Sequence, residues 1–221
     1  MDPVKQRPPE RAQPPRRERS RATRRRIARA AFSLFCDRGY TGTTMADIAA
    51  AAGVAVQTVY FTYHAKSEVL NSTYELAVLG DEGPLPPREQ PWYRQAVAEP
   101  DVAAAVRLVV EGTGEIVRRV AQLDLVVRTA AESDPDAAQF LRRNEQMRVD
   151  GYREMIDVLR GKAGLRPGLT PERAADLMLL LVGPAAHRAL VADRGWSHTE
   201  WLAWTSTVLL EQLFGLREGE A

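Results

Sequence analysis

Along most of the chain, apolar residues recur at spacings of three and four, the period of a helix that buries one face. Ile27, Ala30, Ala31, Leu34 and Phe35 form such a stripe and predict a first helix over residues 22–38, ended by Gly39. A second segment carries Ile48 among the alanines at 46 and 49–52 and stops at Gly53. A third, over 56–63, turns Val59 inward and leaves Val56, Gln57, Thr58, Tyr60, Phe61 and Thr62 on its other faces. A fourth, over 66–79, has Val69, Leu70, Tyr74 and Leu76 as apolar positions. Residues 80–91, GDEGPLPPREQP, hold four prolines and two glycines and read as a loop. Trp92 and Tyr93 follow as an anchor onto the next part of the chain.

From Asp101 the pattern is helical throughout. Asp101 predicts a cap for a helix reaching about Ala121, followed by a short apolar segment over 123–132. Asp134-Pro135 is a start signal, with proline at the first helical position, for a long helix to about Gly161. Thr170-Pro171-Glu172 opens another, which runs into Gly183-Pro184 and must kink or break there. Ser197 and Glu200 form a capping box before WLAWTSTVLLEQLF, and Gly215 ends that helix. No strand signal appears, so the expected class is all-α, with about nine helices.

The second and third helices repay a closer reading. Thr44 is a plausible N-cap, and Asp47 three residues on can reach back to it, a second capping box. Small alanines let helices approach closely. Gly53 suits a left-handed C-terminal position, and Val54 would hold the turn against the core. Two short helices about such a turn are the layout of a helix-turn-helix DNA reader, whose second helix enters the major groove. Gln57 suits adenine, the threonines suit base or phosphate, and the apolar side chains suit a thymine methyl. Tyr60 and Lys66 suit phosphate oxygens. The candidate DNA contacts are Thr44, Val56, Gln57, Thr58, Tyr60, Phe61, Thr62 and Lys66.

Charge sharpens this picture. The 221-residue chain has a net charge of only +1, yet residues 1–70 carry 13 Lys/Arg against 6 Asp/Glu, leaving 17 against 23 for the remainder. A basic head on an acidic body fits a head that meets phosphate. Residues 1–20, rich in proline and arginine, read as a disordered basic arm that either tracks DNA or only aids solubility. Arg24, Arg25 and Arg26 fall on the first turn of the expected first helix, where the helix dipole disfavours cations and nearby phosphates would relieve the conflict.

The segment over residues 41–70 resembles the DNA-binding domain of the TetR family of bacterial one-component regulators. Thr44, Ile48, Ala49, Ala52, Gly53, Val54, Thr58, Tyr60, Lys66 and Leu70 stand where that family's pattern wants them. Two positions depart from it. Ala55 replaces the usual serine, so the recognition helix lacks a side-chain cap, and Tyr63 replaces the usual phenylalanine, so its hydroxyl needs a partner. The resemblance implies a helix-turn-helix domain over 21–66 and a helical ligand-binding and dimerisation body over 67–221. It implies a homodimer packed through its last two helices, for which Leu190, Trp204 and Leu210 are the candidate contacts, because they exceed what one core needs. It also implies a small-molecule effector inside the body, usually one that releases a repressor from a palindromic operator on double-stranded DNA. The apolar candidates for that pocket are Val109, Ile116, Val127, Phe140, Met147, Tyr152, Met155 and Leu180, for each of which ordinary core packing is the competing reading; Arg119, Arg128, Asn144 and His187 are polar candidates that either supply specificity or merely face solvent.

Other classes fare worse. The three histidines, 64, 187 and 198, are far apart in sequence, and no P-loop, dinucleotide fingerprint, metal motif or nucleophile elbow occurs, so no catalytic residue, metal or cofactor is expected. Asp124 and Glu132 fall where helical surface charge is expected. The single cysteine, Cys36, allows no intramolecular disulfide and reads as a small apolar residue. The most apolar stretch holds Pro184, His187 and Arg188 and is short for a membrane span, and no signal peptide is evident, so a cytoplasmic protein without a membrane partner is expected. The alternatives to a specific regulator are an architectural DNA binder of low specificity and a scaffold that binds protein only.

Overall fold

The computed structural model describes residues 16–80 and 85–216. Every regular element among them is helical. The head comprises α1 (Arg16–Arg38), α2 (Met45–Ala52), α3 (Val56–Thr62) and the connecting α4 (Lys66–Leu79). A 3-10 turn at Pro87–Glu89 leads into the body, made of α5 (Pro91–Ala98), α6 (Val102–Ala131), α7 (Pro135–Arg160), α8 (Pro171–Leu181), the single turn α9 (Pro184–His187) with a π-helical turn at Arg188–Ala192, and α10 (His198–Phe214). Nine of these helices have seven residues or more.

The predicted boundaries hold where a cap defines them. Asp101 accepts from the backbone N–H of Ala104, and Asp134 from those of Asp136 and Ala137. Thr170 caps α8 through the N–H of Arg173, and the Ser197–Glu200 capping box opens α10. Each such cap is worth about 1 kcal/mol because it satisfies a donor the helix itself leaves orphaned.

Three expectations change. First, α1 begins at Arg16, so residues 16–20 of the expected disordered arm are helical, and the rest of that arm, 1–15, lies outside the described residues. Arg24, Arg25 and Arg26 therefore sit on the third turn, clear of the N-terminal dipole, and the conflict expected for them does not arise. Second, the segments expected over 101–121 and 123–132 are one 30-residue helix, α6. Nothing between Ala121 and Leu123 breaks a helix, and buried Val120, Leu123, Val126 and Val127 continue the same inward face. Third, the proline-rich stretch supplies regular structure at its end, where Pro91 takes the first position of α5. α5 puts Trp92 and Tyr93, stacked edge to face, against the body core, the anchoring expected of them.

Two apolar cores result, and they do not follow the head–body boundary expected after residue 66. One joins Ile27, Ala31 and Phe35 of α1, Ile48 and Ala49 of α2 and Val59 of α3, all fully buried, to Val69, Leu70 and Tyr74 of α4 and to Leu123, Val127, Ala130 and Ala137 of α6 and α7. The head is thus built onto the far end of the longest body helix. The other core packs α5, the first half of α6, the second half of α7, α8 and α10 around Trp201, Ile156, Met178, Leu209 and Leu213.

Candidate nucleic-acid interface

The reading unit starts at Thr44. Its hydroxyl accepts from the N–H of Asp47 at 3.1 Å, while the Asp47 carboxylate accepts from the Thr44 hydroxyl at 2.6 Å and from its N–H at 3.0 Å. These bonds hold the Asp47 carboxyl below the usual range. Thr44 is therefore spent on starting α2. The helix ends at Gly53, whose φ of +62° lies in the left-handed region, and the N–H groups of Gly53 and Val54 close onto the carbonyls of Ala50 and Ala49. The chain bends by 108° from α2 to α3. That lies in the range of helix-turn-helix units.

α3 has no side-chain cap at Ala55 and is held by packing instead. Val59 is completely buried, a burial worth about 1.5–3 kcal/mol. The Tyr63 hydroxyl at its end pairs with Ser72 Oγ at 2.9 Å, which gives the unusual hydroxyl its partner. The opposite face is bare. Val56 is 41% exposed, Tyr60 50% and Phe61 86%, and Gln57 is exposed beside them. Thr58 is half-buried, and Thr62 donates its hydroxyl to the Thr58 carbonyl at 2.7 Å. Of the eight expected contacts, the structure gathers Val56, Gln57, Tyr60 and Phe61 into one exposed face.

Lys66, expected at a phosphate, is engaged within its own chain. Its ammonium donates to the carbonyls of Tyr40 at 2.7 Å and Thr43 at 3.0 Å, and lies 4.2 Å from the centre of the Tyr40 ring. Burial lowers its pKa, with Asp134 partly opposing. It thus ties the start of α4 to the turn between α1 and α2. The same turn is held by buried Thr43, which donates to the carbonyls of Gly39 and Leu34, and by Tyr40, whose hydroxyl donates to Asp134 at 2.5 Å. Asp134 uses its other oxygen to cap α7, so one carboxylate joins the head to the body. Tyr40 and Asp134 were not readable as a pair, being 94 residues apart. Arg24, Arg25, Arg26 and Arg29 are exposed along α1 and supply the basic flank. Cys36 is half-buried, and burial and then Asp37 push its thiol up to about 11, which keeps it protonated and unreactive.

The body does not collect the eight apolar pocket candidates into one cavity. Val109, Tyr152 and Met155 are buried in the body core and Val127 in the head core; Ile116 is buried on α6, and Phe140 packs edge to face on Tyr74. Met147 is 55% exposed and Leu180 65%, because they fall on the outer sides of α7 and α8. The polar candidates serve contacts within the chain. Arg119 donates to the carbonyls of Ala77 and Val78 at the end of α4. Arg128 bridges buried Asp124 at 2.8 Å and Glu145 at 2.9 Å, and the Tyr74 hydroxyl, pushed up to about 12 mainly by burial, lies 3.5 Å from that Asp124. Asp124, expected as surface charge, is therefore interior. Asn144 is buried on α7. His187 shares a hydrogen bond of 3.2 Å with His198, and both rings lie on Trp201. Two buried donors on α10, Trp201 Nε1 and Thr205 Oγ1, have no hydrogen-bond partner among the described residues.

Among the candidate dimer contacts, Leu210 is buried in its own core and cannot serve, since α10 turns inward at that position. Trp204 is 37% exposed and stacks edge to face on Trp196, and Leu190 is partly exposed. The stretch Pro171–Ala192 is apolar and long enough to cross a membrane by composition, but it breaks at Val182–Gly183 and packs on α7 and α10. Only 39% of its most apolar window is buried within the chain. No group of histidine, cysteine and carboxylate side chains that could hold a metal occurs among the described residues.

The fold and this surface define a helical helix-turn-helix protein. Residues 27–73 match the family model described as bacterial regulatory proteins of the tetR family, so the chain carries a TetR-type helix-turn-helix domain over that stretch. The whole fold is similar to that of NalD, the secondary repressor of the MexAB-OprM multidrug efflux pump in Pseudomonas aeruginosa, at 21% identity and a TM-score of 0.66 over 88% of this chain and 98% of NalD. It is likewise similar to the fatty acid degradation regulator FadR from Bacillus halodurans, at 18% identity and a TM-score of 0.66 over 85% and 94% of the two chains. No curated protein sequence matches the chain.

Proposed function

We propose that this regulator binds a palindromic operator as a homodimer, most simply as a repressor, and that a small molecule taken up by the body releases it. The exposed face of α3 carries the reading: four exposed side chains on one helix, in a head with a surplus of seven positive charges over residues 1–70. A pair of heads would read half-sites ~34 Å apart, which an isolated architectural binder has no need to do. The uncovered apolar surface of Pro171–Ala192, with Leu180 and Trp204, favours a second copy as the partner. The unpartnered donors of Trp201 and Thr205 favour an effector bound next to α10, since an unsatisfied buried donor costs about 1–3 kcal/mol. Such an effector acts only by binding the two arrangements of the heads unequally.

The test is selection of genomic DNA fragments on the purified protein at physiological salt. A single enriched palindrome is expected. Tight binding with no enriched motif would favour the architectural reading, and no binding the protein-scaffold one. Leu180→Glu with Trp204→Glu should convert a dimer to a monomer in sedimentation equilibrium and lower operator affinity more than tenfold; an unchanged mass would place the interface elsewhere.

A further inference from the structure

The side chains on α3 restrict what the helix can read. The usual reader of guanine is an arginine or lysine set against its O6 and N7, and the usual acceptor for cytosine N4 is a carboxylate. The seven residues of α3, Val-Gln-Thr-Val-Tyr-Phe-Thr, include none of these. Lys66, the nearest lysine in sequence, has its ammonium on two carbonyls of its own chain. What α3 does present is apolar. Phe61 is 86% exposed, Tyr60 50% and Val56 41%, and they are the exposed large apolar side chains among the described residues of the head. The major groove offers an apolar side chain one complementary group, the 5-methyl of thymine. Gln57, four residues before Phe61, stands beside it with its amide unengaged among the described residues. A glutamine amide matches the N6 and N7 of adenine in pairs.

We infer that α3 selects A·T base pairs at the centre of each half-site, with Val56 and Phe61 seated on thymine methyl groups and Gln57 on adenine. This rests on the regulator reading above and names the bases it recognises. Guanine, where the operator contains it, falls at positions outside the reach of α3, within reach of the arginines of α1.

The experiment replaces each thymine of the selected operator, one at a time, with deoxyuridine, which removes a single methyl group and keeps every hydrogen bond. At least two positions per half-site should lose affinity about fourfold each, the effect of one methyl taken out of water. Phe61→Ala and Val56→Ala should each abolish the methyl effect at a different thymine while the other thymine keeps its own. Both side chains are exposed, so the thermal midpoint should stay within about 2 °C of the parent, consistent with the small effects of surface substitutions. A motif whose half-site centres are G·C, or one in which no methyl removal changes affinity, would overturn this inference and leave the regulator standing. Failure to select any motif would overturn both.

Discussion

Lys66 is a residue whose chemistry was plain and whose task was not. A lysine next to a recognition helix suits a phosphate, but this one spans the head to two carbonyls and an aromatic ring. Lys66→Met should therefore lower unfolding stability by about 1–2 kcal/mol, as for hydrogen bonds to a half-exposed charge. The salt dependence of DNA affinity should keep its slope, since no phosphate contact is lost. Urea unfolding and a salt titration separate the two roles. Gly53 is the opposite case, legible from the sequence because the reason is local. Its φ of +62° with open space around the missing Cβ means that Gly53→Ala meets backbone strain and no clash, about 1–2 kcal/mol. The same local logic gave away Thr44, Asp47 and Ser197, whose partners are three residues distant. Tyr40 and Asp134 could not be paired this way, because their contact depends on where α6 and α7 turn back over the head.

At the scale of the element, start signals placed the beginnings of α2, α6, α7, α8 and α10, because a cap is a bond between near neighbours. The length of α6 was not legible, since a helix continues wherever its inward face stays covered, and α7 supplies that cover. α5 was hidden for a related reason: its hold on the body is Trp92 seated where α6 has no side chain. A Cβ on Gly112 would lie 2.2 Å from the Trp92 ring. Gly112→Ala should displace the indole at a cost of about 1–3 kcal/mol despite the better helix propensity of alanine. A red shift of tryptophan emission with a lowered urea midpoint would be the sign of it, and a stabilised protein would refute the packing. Asp134→Asn tests the joint between head and body. Asparagine still caps α7, but its amide NH2 cannot accept from Tyr40. Stability should fall by about 1 kcal/mol, and Tyr40→Phe should add nothing further in the double variant if the two share one bond.

Across the whole molecule, a histidine pair placed to answer mild acid lies where α6, α9 and α10 meet. Burial lowers the pKa of His187, with His198 and Arg118 adding to it. Burial also lowers His198, with Glu115, 3.3 Å away, opposing and Arg118 reinforcing. A histidine depressed in the folded state holds fewer protons there than in the unfolded chain. Its contribution to stability is full above about pH 6.5 and is lost as pH falls from there through the folded values. Thermal midpoints should drop between pH 7 and 5, and the double variant His187→Gln, His198→Gln should flatten that drop; an equal slope in both proteins would assign the acid sensitivity to other groups.

The division between sequence and structure follows the range of the forces. Helical class, capped ends, the helix-turn-helix and the basic head were determined by the sequence alone, because each rests on neighbours within a turn or two or on a sum over residues. Which apolar side chains are core and which are left bare was decided only by the tertiary structure. Val109 and Leu180, or Leu210 and Trp204, look alike in a hydrophobic stripe, yet one of each pair is sealed and the other faces outward. Helical periodicity gives the face on which a residue lies, whereas burial depends on which other helix arrives to cover that face, and that is set by the packing of the chain as a whole.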